Sequence, residues 1–134
     1  MSTSRVISTP NAPAAIGPYS QAIHVAAPGA MTFISGQIPL DPTTGQLVGE
    51  GDVSAQTRQV MKNLLSIVAA SGHQPSDIVR CTIFLKDLND FATVNFIYSE
   101  LLAGHHPSRA TVEVARLPRD VRVEIDAICV ASAP

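Results

Sequence analysis

The chain has 134 residues, 46% of them apolar and only 15% charged, with a net charge of −2. That length suits one domain, residues 1–134, with a real core and little room for a second. The composition argues against a nucleic-acid-binding surface, because there is no run of lysines or arginines and few aromatics. It also argues against a membrane protein, because no stretch approaches the ~18 consecutive apolar residues of a span.

Charged residues make up roughly 25% of an ordinary soluble domain, so a chain this poor in charge is expected to hide part of its surface in an oligomer. The N-terminal stretch MSTSRVISTPNAPAA has no apolar segment of the signal-peptide kind. Being rich in Ser and Thr and free of acids, it leaves room for a short organellar presequence. The plainer expectation is a cytoplasmic chain that starts near its first strand. Cys81 and Cys129 both sit inside apolar strand-like runs and read as buried thiols in a reducing compartment.

In chain order, residues 5–8 can form a short first strand. The stretch APAAIGPYSQ is a loop, punctuated by Pro13, Gly17 and Pro18. Residues 21–26 and 31–37 read as strands joined by a turn at Pro28-Gly29, and LDPTTGQLVGEG as a second loop. The clearest element is a helix: Asp52 is a good N-cap, Val53, Val60, Leu64, Ile67 and Val68 recur at helical spacing, and Gly72 stops it. Residues 78–85 form a β-branched, aromatic-containing strand. A second helix follows, capped by Asp87 or Asn89 and ended by Gly104. Its apolar face is Phe91, Val94, Ile97, Tyr98, Leu101 and Leu102.

The last third reads as a hairpin, residues 109–114 and 121–130, closed by ARLPRD. The order is β-β-β-α-β-α-β-β, an α+β chain whose two helices can cover only one face of its sheet. The strand MTFISGQI carries apolar groups on both sides, so the other face also needs cover, and a second copy of the chain would supply it.

Strand side chains alternate, so Arg109, Thr111 and Glu113 share one side, and Arg122, Glu124 and Asp126 share another. If the apolar sides of both strands meet the helices, parity allows a register with Thr111 opposite Glu124 and Arg109 opposite Asp126. Arg109 and Glu124 are then diagonal neighbours, about 7–8 Å apart at Cα. From patterning alone these charges fit cross-strand ion pairs on a wet face, each worth roughly 0.2–1 kcal/mol. The gap also has room for a small acid and a water, though patterning alone favours the ion pairs.

Further motifs add little. GQLVGEG lacks the strand–turn–helix context of a phosphate-binding loop, His105-His106 has no metal-ligand spacing, and no G-x-S-x-G stretch is present. No cofactor or metal is expected.

Four stretches resemble the Rid/YjgF family, most closely its reactive intermediate deaminase A branch. They are IGPYSQA at Ile16–Ala22, ISGQIP at Ile34–Pro39, FLKDLNDFATVN at Phe84–Asn95 and PSRATVEVARLPRDVRVEI at Pro107–Ile125. The resemblance implies a chorismate-mutase-like α+β fold, a homotrimer with active sites between subunits, and hydrolysis of 2-imino acids, released by pyridoxal-phosphate dehydratases, to 2-oxo acids and ammonia. It places Arg109 on the family's carboxylate-binding arginine, a role that suits a planar guanidinium. Glu124 falls on the glutamate that manages water and protons, and Tyr19 on a tyrosine near the ligand. Ser35, Gly36, Asn95 and Pro118 map to the pocket lining or rim. Each also has a purely structural reading: Tyr19 as a loop anchor, Ser35-Gly36 as a bend, Asn95 as a helix polar residue, Pro118 as a turn former.

Many relatives have a cysteine where this chain has Thr111, so a thiol nucleophile is unavailable, and the implied role there is a backbone N–H contact to substrate. Two other functions stay open: a ribonuclease or translation inhibitor, and a chaperone-like or regulatory protein that binds 2-oxo acids without turnover.

Overall fold

The computed structural model describes residues 4–132, and its strands and helices follow in the expected order. The strands are β1 (Ser4–Ile7), β2 (Ala22–Val25), β3 (Pro28–Gln37), β4 (Ile78–Leu85), β5 (Ser108–Glu113) and β6 (Val123–Ser132); the helices are α1 (Val53–Ala70) and α2 (Phe91–Leu102).

β1 and β2 form an antiparallel ribbon apart from the main sheet, which runs β3-β6-β4-β5. Pro28-Gly29 therefore opens β3 instead of forming a turn before it. Proline is tolerated there because it is the first strand residue, and a register shift between Pro28 and Met31 absorbs the irregularity.

The expected final hairpin does not form. β6 lies between β3 and β4 and is antiparallel to both, while β5 pairs with β4 in parallel. The physical reason is α2, a crossover that returns the chain beside β4 in the same direction. The 114–122 connection then carries the chain past β4, so β5 and β6 never touch as neighbours.

Capping agrees with the sequence at α1 and is displaced at α2. The Asp52 carboxylate accepts from the N–H groups of Ser54 at 3.0 Å and Ala55 at 3.2 Å. Asp87 instead caps a 3₁₀ turn, Leu88–Asp90, by accepting from Asn89 N–H at 2.9 Å, and α2 begins behind it at Phe91. Ala103, with φ of 50°, takes the left-handed cap position expected to fall to Gly104.

The core lies between the helices and one sheet face. Val60, Met61, Leu64 and Val68 of α1 and Val94, Tyr98 and Leu102 of α2 pack on Cys81, Ile83, Leu85, Val123, Ile125 and Cys129. Both cysteines are buried and free, as their apolar surroundings implied. The opposite face is bare. There Met31 is 52% and Phe33 69% exposed, and Val112 of β5 is 41% exposed. Scattered apolar surface is normal, but Met31 and Phe33 are neighbours on this face of β3, and adjacent large exposed apolar side chains are the kind of patch that marks an interface.

Candidate functional site

Register decides where each candidate residue points. Arg109 is the β4 partner of Cys81 and Thr111 that of Ile83, and both β4 residues are fully buried against the helices. Arg109 and Thr111 therefore lie on the helix face. Glu124 is the partner of Phe84 and alternates with buried Val123 and Ile125, so it lies on the bare face. With β4 between them and three residues of offset, the two Cα atoms are about 14 Å apart. The diagonal Arg109–Glu124 pair inferred from parity is thus corrected: the apolar side of β5, Ala110 and Val112, faces away from the helices. The polar side turns inward.

The first cluster surrounds Arg109. Its Nη1 donates to Asn95 Oδ1 at 2.6 Å. Its guanidinium carbon lies 5.5 Å from the Tyr19 ring centroid, 5.8 Å from that of Phe91 and 5.2 Å from that of Tyr98. Contacts of this kind are worth roughly 0.5–2 kcal/mol each, depending on desolvation. Among the described residues no carboxylate pairs with Arg109. Burial holds it below the ordinary arginine value, yet an arginine stays charged at neutral pH. The result is a half-buried cation without a counter-charge.

Local structure explains Tyr19. Gln21 bonds Thr9 N–H at 2.7 Å and Pro13 C=O at 2.8 Å, tying the loop back on itself. Buried Ser20 donates its hydroxyl to His106 C=O and its N–H to Pro107 C=O, which fastens the loop to the start of β5. Tyr19 is thereby carried over Arg109, and its hydroxyl accepts from Ile16 N–H at 3.3 Å. Thr111 Oγ1 is buried and has no hydrogen-bond partner among the described residues.

The second cluster is Ser35, Gly36 and Glu124. Ser35 and Gly36 fall in an irregularity of β3, where the register with β6 shifts between Ile34 and Gln37. A Cβ added at Gly36 would collide with Glu124 Oε2 and come within 2.8 Å of its Cδ. A Cβ here is accommodated only by moving the Glu124 carboxylate. The Glu124 carboxyl is pushed above its usual range, first by burial and then by the neighbouring charge of Asp126. Gly36→Ala is accordingly expected to leave the melting temperature nearly unchanged, since only a flexible carboxylate must move, but to lower activity by displacing Glu124. Parallel thermal-unfolding and rate measurements separate the two effects.

Pro118 starts an exposed 3₁₀ turn, Pro118–Asp120, whose Arg119 and Asp120 both have φ of 56°. Arg119 donates to Gly45 C=O at 3.0 Å, which links this turn to the 39–51 loop. The other charges of the last two strands are occupied locally. Arg122 pairs with Asp90 at 2.8 Å, and Glu113 accepts from Leu88 N–H at 3.0 Å. Neither makes the cross-strand pairs that alternation allowed. His105 bonds Ile78 C=O at 2.7 Å, as a structural loop histidine would.

Sequence reasoning treated Phe91 and Tyr98 as apolar-face residues and missed their contact with Arg109. The available signal was Asn95 between them: positions 91, 95 and 98 form one helical stripe, and a polar residue in an otherwise apolar stripe asks for a buried partner.

Fold and residues together place the chain in a known class. It belongs to the Endoribonuclease L-PSP family, the Rid/YjgF family, which matches residues 9–131. It is 58% identical to "Protein DfrA" of Myxococcus xanthus over 127 residues, 95% of each chain. It is 53% identical over 130 residues to a 2-iminobutanoate/2-iminopropanoate deaminase of Salmonella typhimurium, covering 95% of this chain and 98% of that one. Among solved structures it resembles Escherichia coli TdcF with bound serine, with a TM-score of 0.72, 45% identity and coverage of 96% and 99%.

Proposed function

We propose that this protein is a cytoplasmic, cofactor-free hydrolase that converts 2-imino acids to 2-oxo acids and ammonia, working as a homotrimer. The observation that carries the reading is the caged, uncompensated Arg109. A cation held rigidly without a carboxylate is prepared for an anionic ligand, and a guanidinium suits a carboxylate through two parallel bonds. The deaminase name of the relative from Salmonella typhimurium, and the serine bound to its neighbour TdcF, support a small 2-substituted acid as that ligand.

The chemistry requires water to add to the imine carbon. Glu124 takes a proton from that water as the C–O bond forms and passes it to the imine nitrogen, giving a carbinolamine. It then takes the hydroxyl proton as the C=O bond forms and returns it to nitrogen, which leaves as ammonia as the C–N bond breaks. A carboxylate whose pKa burial and the Asp126 charge raise above the ordinary glutamate value is suited to both transfers. Tyr19 orients water or the leaving amine, and Thr111, Ser35, Gly36, Asn95 and Pro118 complete the binding site.

Because Arg109 and Glu124 occupy opposite faces of one sheet, a ligand held by both must lie between two copies. The bare face that bears Glu124 is also the apolar one, so packing of a second copy there would complete the site. Phe33→Glu is expected to yield folded single chains without activity, because Phe33 is 69% exposed before assembly and burying it contributes about 1.5–3 kcal/mol per copy. Light scattering checks this; an unchanged mass would overturn the interface assignment.

The decisive test generates 2-iminobutanoate with a dehydratase in the presence of semicarbazide, which traps the imine. Wild type is expected to suppress semicarbazone formation. If it does not, the hydrolase reading fails.

A further inference from the structure

The donors of Arg109 are unequally used. One N–H of Nη1 is spent on Asn95, whereas Nε and Nη2 donate to no acceptor among the described residues. Nη2 faces Gly17, where an ideal Cβ would stand 3.7 Å away. The Nε–Nη2 edge is therefore the one whose two nitrogens both lack an acceptor among the described residues, and a bidentate carboxylate can use it only if the guanidinium plane is fixed. An arginine side chain does not fix itself, since it carries several rotatable bonds whose freedom opposes a single geometry.

The α2 rings supply that constraint. Tyr98 is fully buried and Phe91 is 38% exposed, and they contact the guanidinium from one stripe of a well-anchored helix. The Tyr98 hydroxyl, buried and without a well-directed hydrogen bond among the described residues, lies beside the Cys81 thiol. Cys81 is itself the strand partner of Arg109. The hydroxyl satisfies nothing that a phenylalanine would leave orphaned, so the ring is the functional part.

We propose that Tyr98 and Phe91 are positioning residues that hold the guanidinium plane of Arg109 so that its Nε–Nη2 edge meets the ligand carboxylate. This rests on the reading of Arg109 as the carboxylate site. It adds two aromatic residues on which affinity depends, though neither need touch the ligand.

The test uses the intact protein with Tyr98→Phe, Tyr98→Leu and Phe91→Leu. The Arg109 Nε–H signal, assigned by its loss in Arg109→Lys, is followed by NMR without ligand, and 2-oxobutanoate is then titrated. In wild type the rings should shift that signal away from the other arginines. Tyr98→Phe should preserve both the shift and the affinity. Phe91→Leu and Tyr98→Leu should move the signal toward the ordinary position and raise KM about threefold to tenfold, with kcat changed much less. Should Tyr98→Leu fail to fold, Phe91→Leu, at a partly exposed site, carries the test. Unshifted signals in the leucine variants, or unchanged KM despite shifted signals, would overturn the proposal. If wild type shows the ring-shifted signal but binds no 2-oxo acid, the carboxylate reading fails, and the ligand-directed role of the two rings fails with it.

Discussion

Arg109→Ala is expected to lower kcat/KM for 2-imino acids by about 10²- to 10⁴-fold. Two charge-assisted hydrogen bonds are lost, each worth roughly 1.5–3 kcal/mol in a desolvated site. The chain itself should remain folded. Removing an uncompensated cation leaves no carboxylate orphaned, only Asn95 Oδ1, which accepted from Nη1 at 2.6 Å. Thermal unfolding should accordingly show a modest loss of stability, since the three ring contacts go together with the cost of holding an uncompensated charge half-buried. Arg109→Lys restores the charge but not the fork, and lysine cannot present two parallel donors to a carboxylate. Its activity should lie nearer to that of alanine than to wild type. The semicarbazide competition assay measures all three proteins, and comparable activity of Arg109→Ala and wild type would remove the clamp.

Glu124→Gln should cost about 10²- to 10⁴-fold in kcat, the range of a positioned acid–base group, with ligand binding largely kept. The pH dependence gives a sharper signature. As a general base Glu124 must be ionised, so activity falls as pH drops through its pKa. Because burial and Asp126 both raise that pKa, the acidic limb should lie above the ordinary glutamate value of about 4.3. Asp126→Asn removes one of the two causes and should move the limb to lower pH without abolishing activity. Asn can still accept the Thr82 N–H bond that Asp126 Oδ1 takes at 3.1 Å. Glu124→Gln should have no such limb. A protein that only binds 2-oxo acids would keep its affinity in Glu124→Gln and lack turnover from the start.

What could be read from residues alone followed the range of the signal. α1 was legible because cap, apolar spacing and terminal glycine lie within one continuous stretch, and β4 because its β-branched run is short and bounded. Which residues of a strand share a side was also legible, since alternation is local, but which side meets the helices was not: β5 turns its polar side inward. Which strand lies beside which was not. A parity argument treats β5 and β6 as neighbours because a short segment joins them, but the parallel return through α2 and the place of β6 in mid-sheet depend on the whole chain. Arg109 was therefore identified correctly in kind and set on the wrong face relative to Glu124. Its aromatic surroundings were hidden for a similar reason: Phe91 and Tyr98 fit a core stripe equally well, and only Asn95 marked the stripe as unusual.

The position of β6 has a further consequence, for the order in which the molecule can be assembled. It follows the other described strands in the chain and, among the described residues, is the one strand bonded to both β3 and β4, pairing Pro28 with Ser132 and Leu85 with Val123. Until residues 123–132 have been synthesised, β3 has no partner in the main sheet, and β4 can join only β5. At a synthesis rate of about 5–20 residues per second, the apolar stripe of β3 waits several seconds for cover. The sheet must close by contacts of long sequence separation, which places this chain among slow folders. Partly made chains of this protein, with Met31, Phe33 and Ile34 unpaired, are the form most exposed to aggregation.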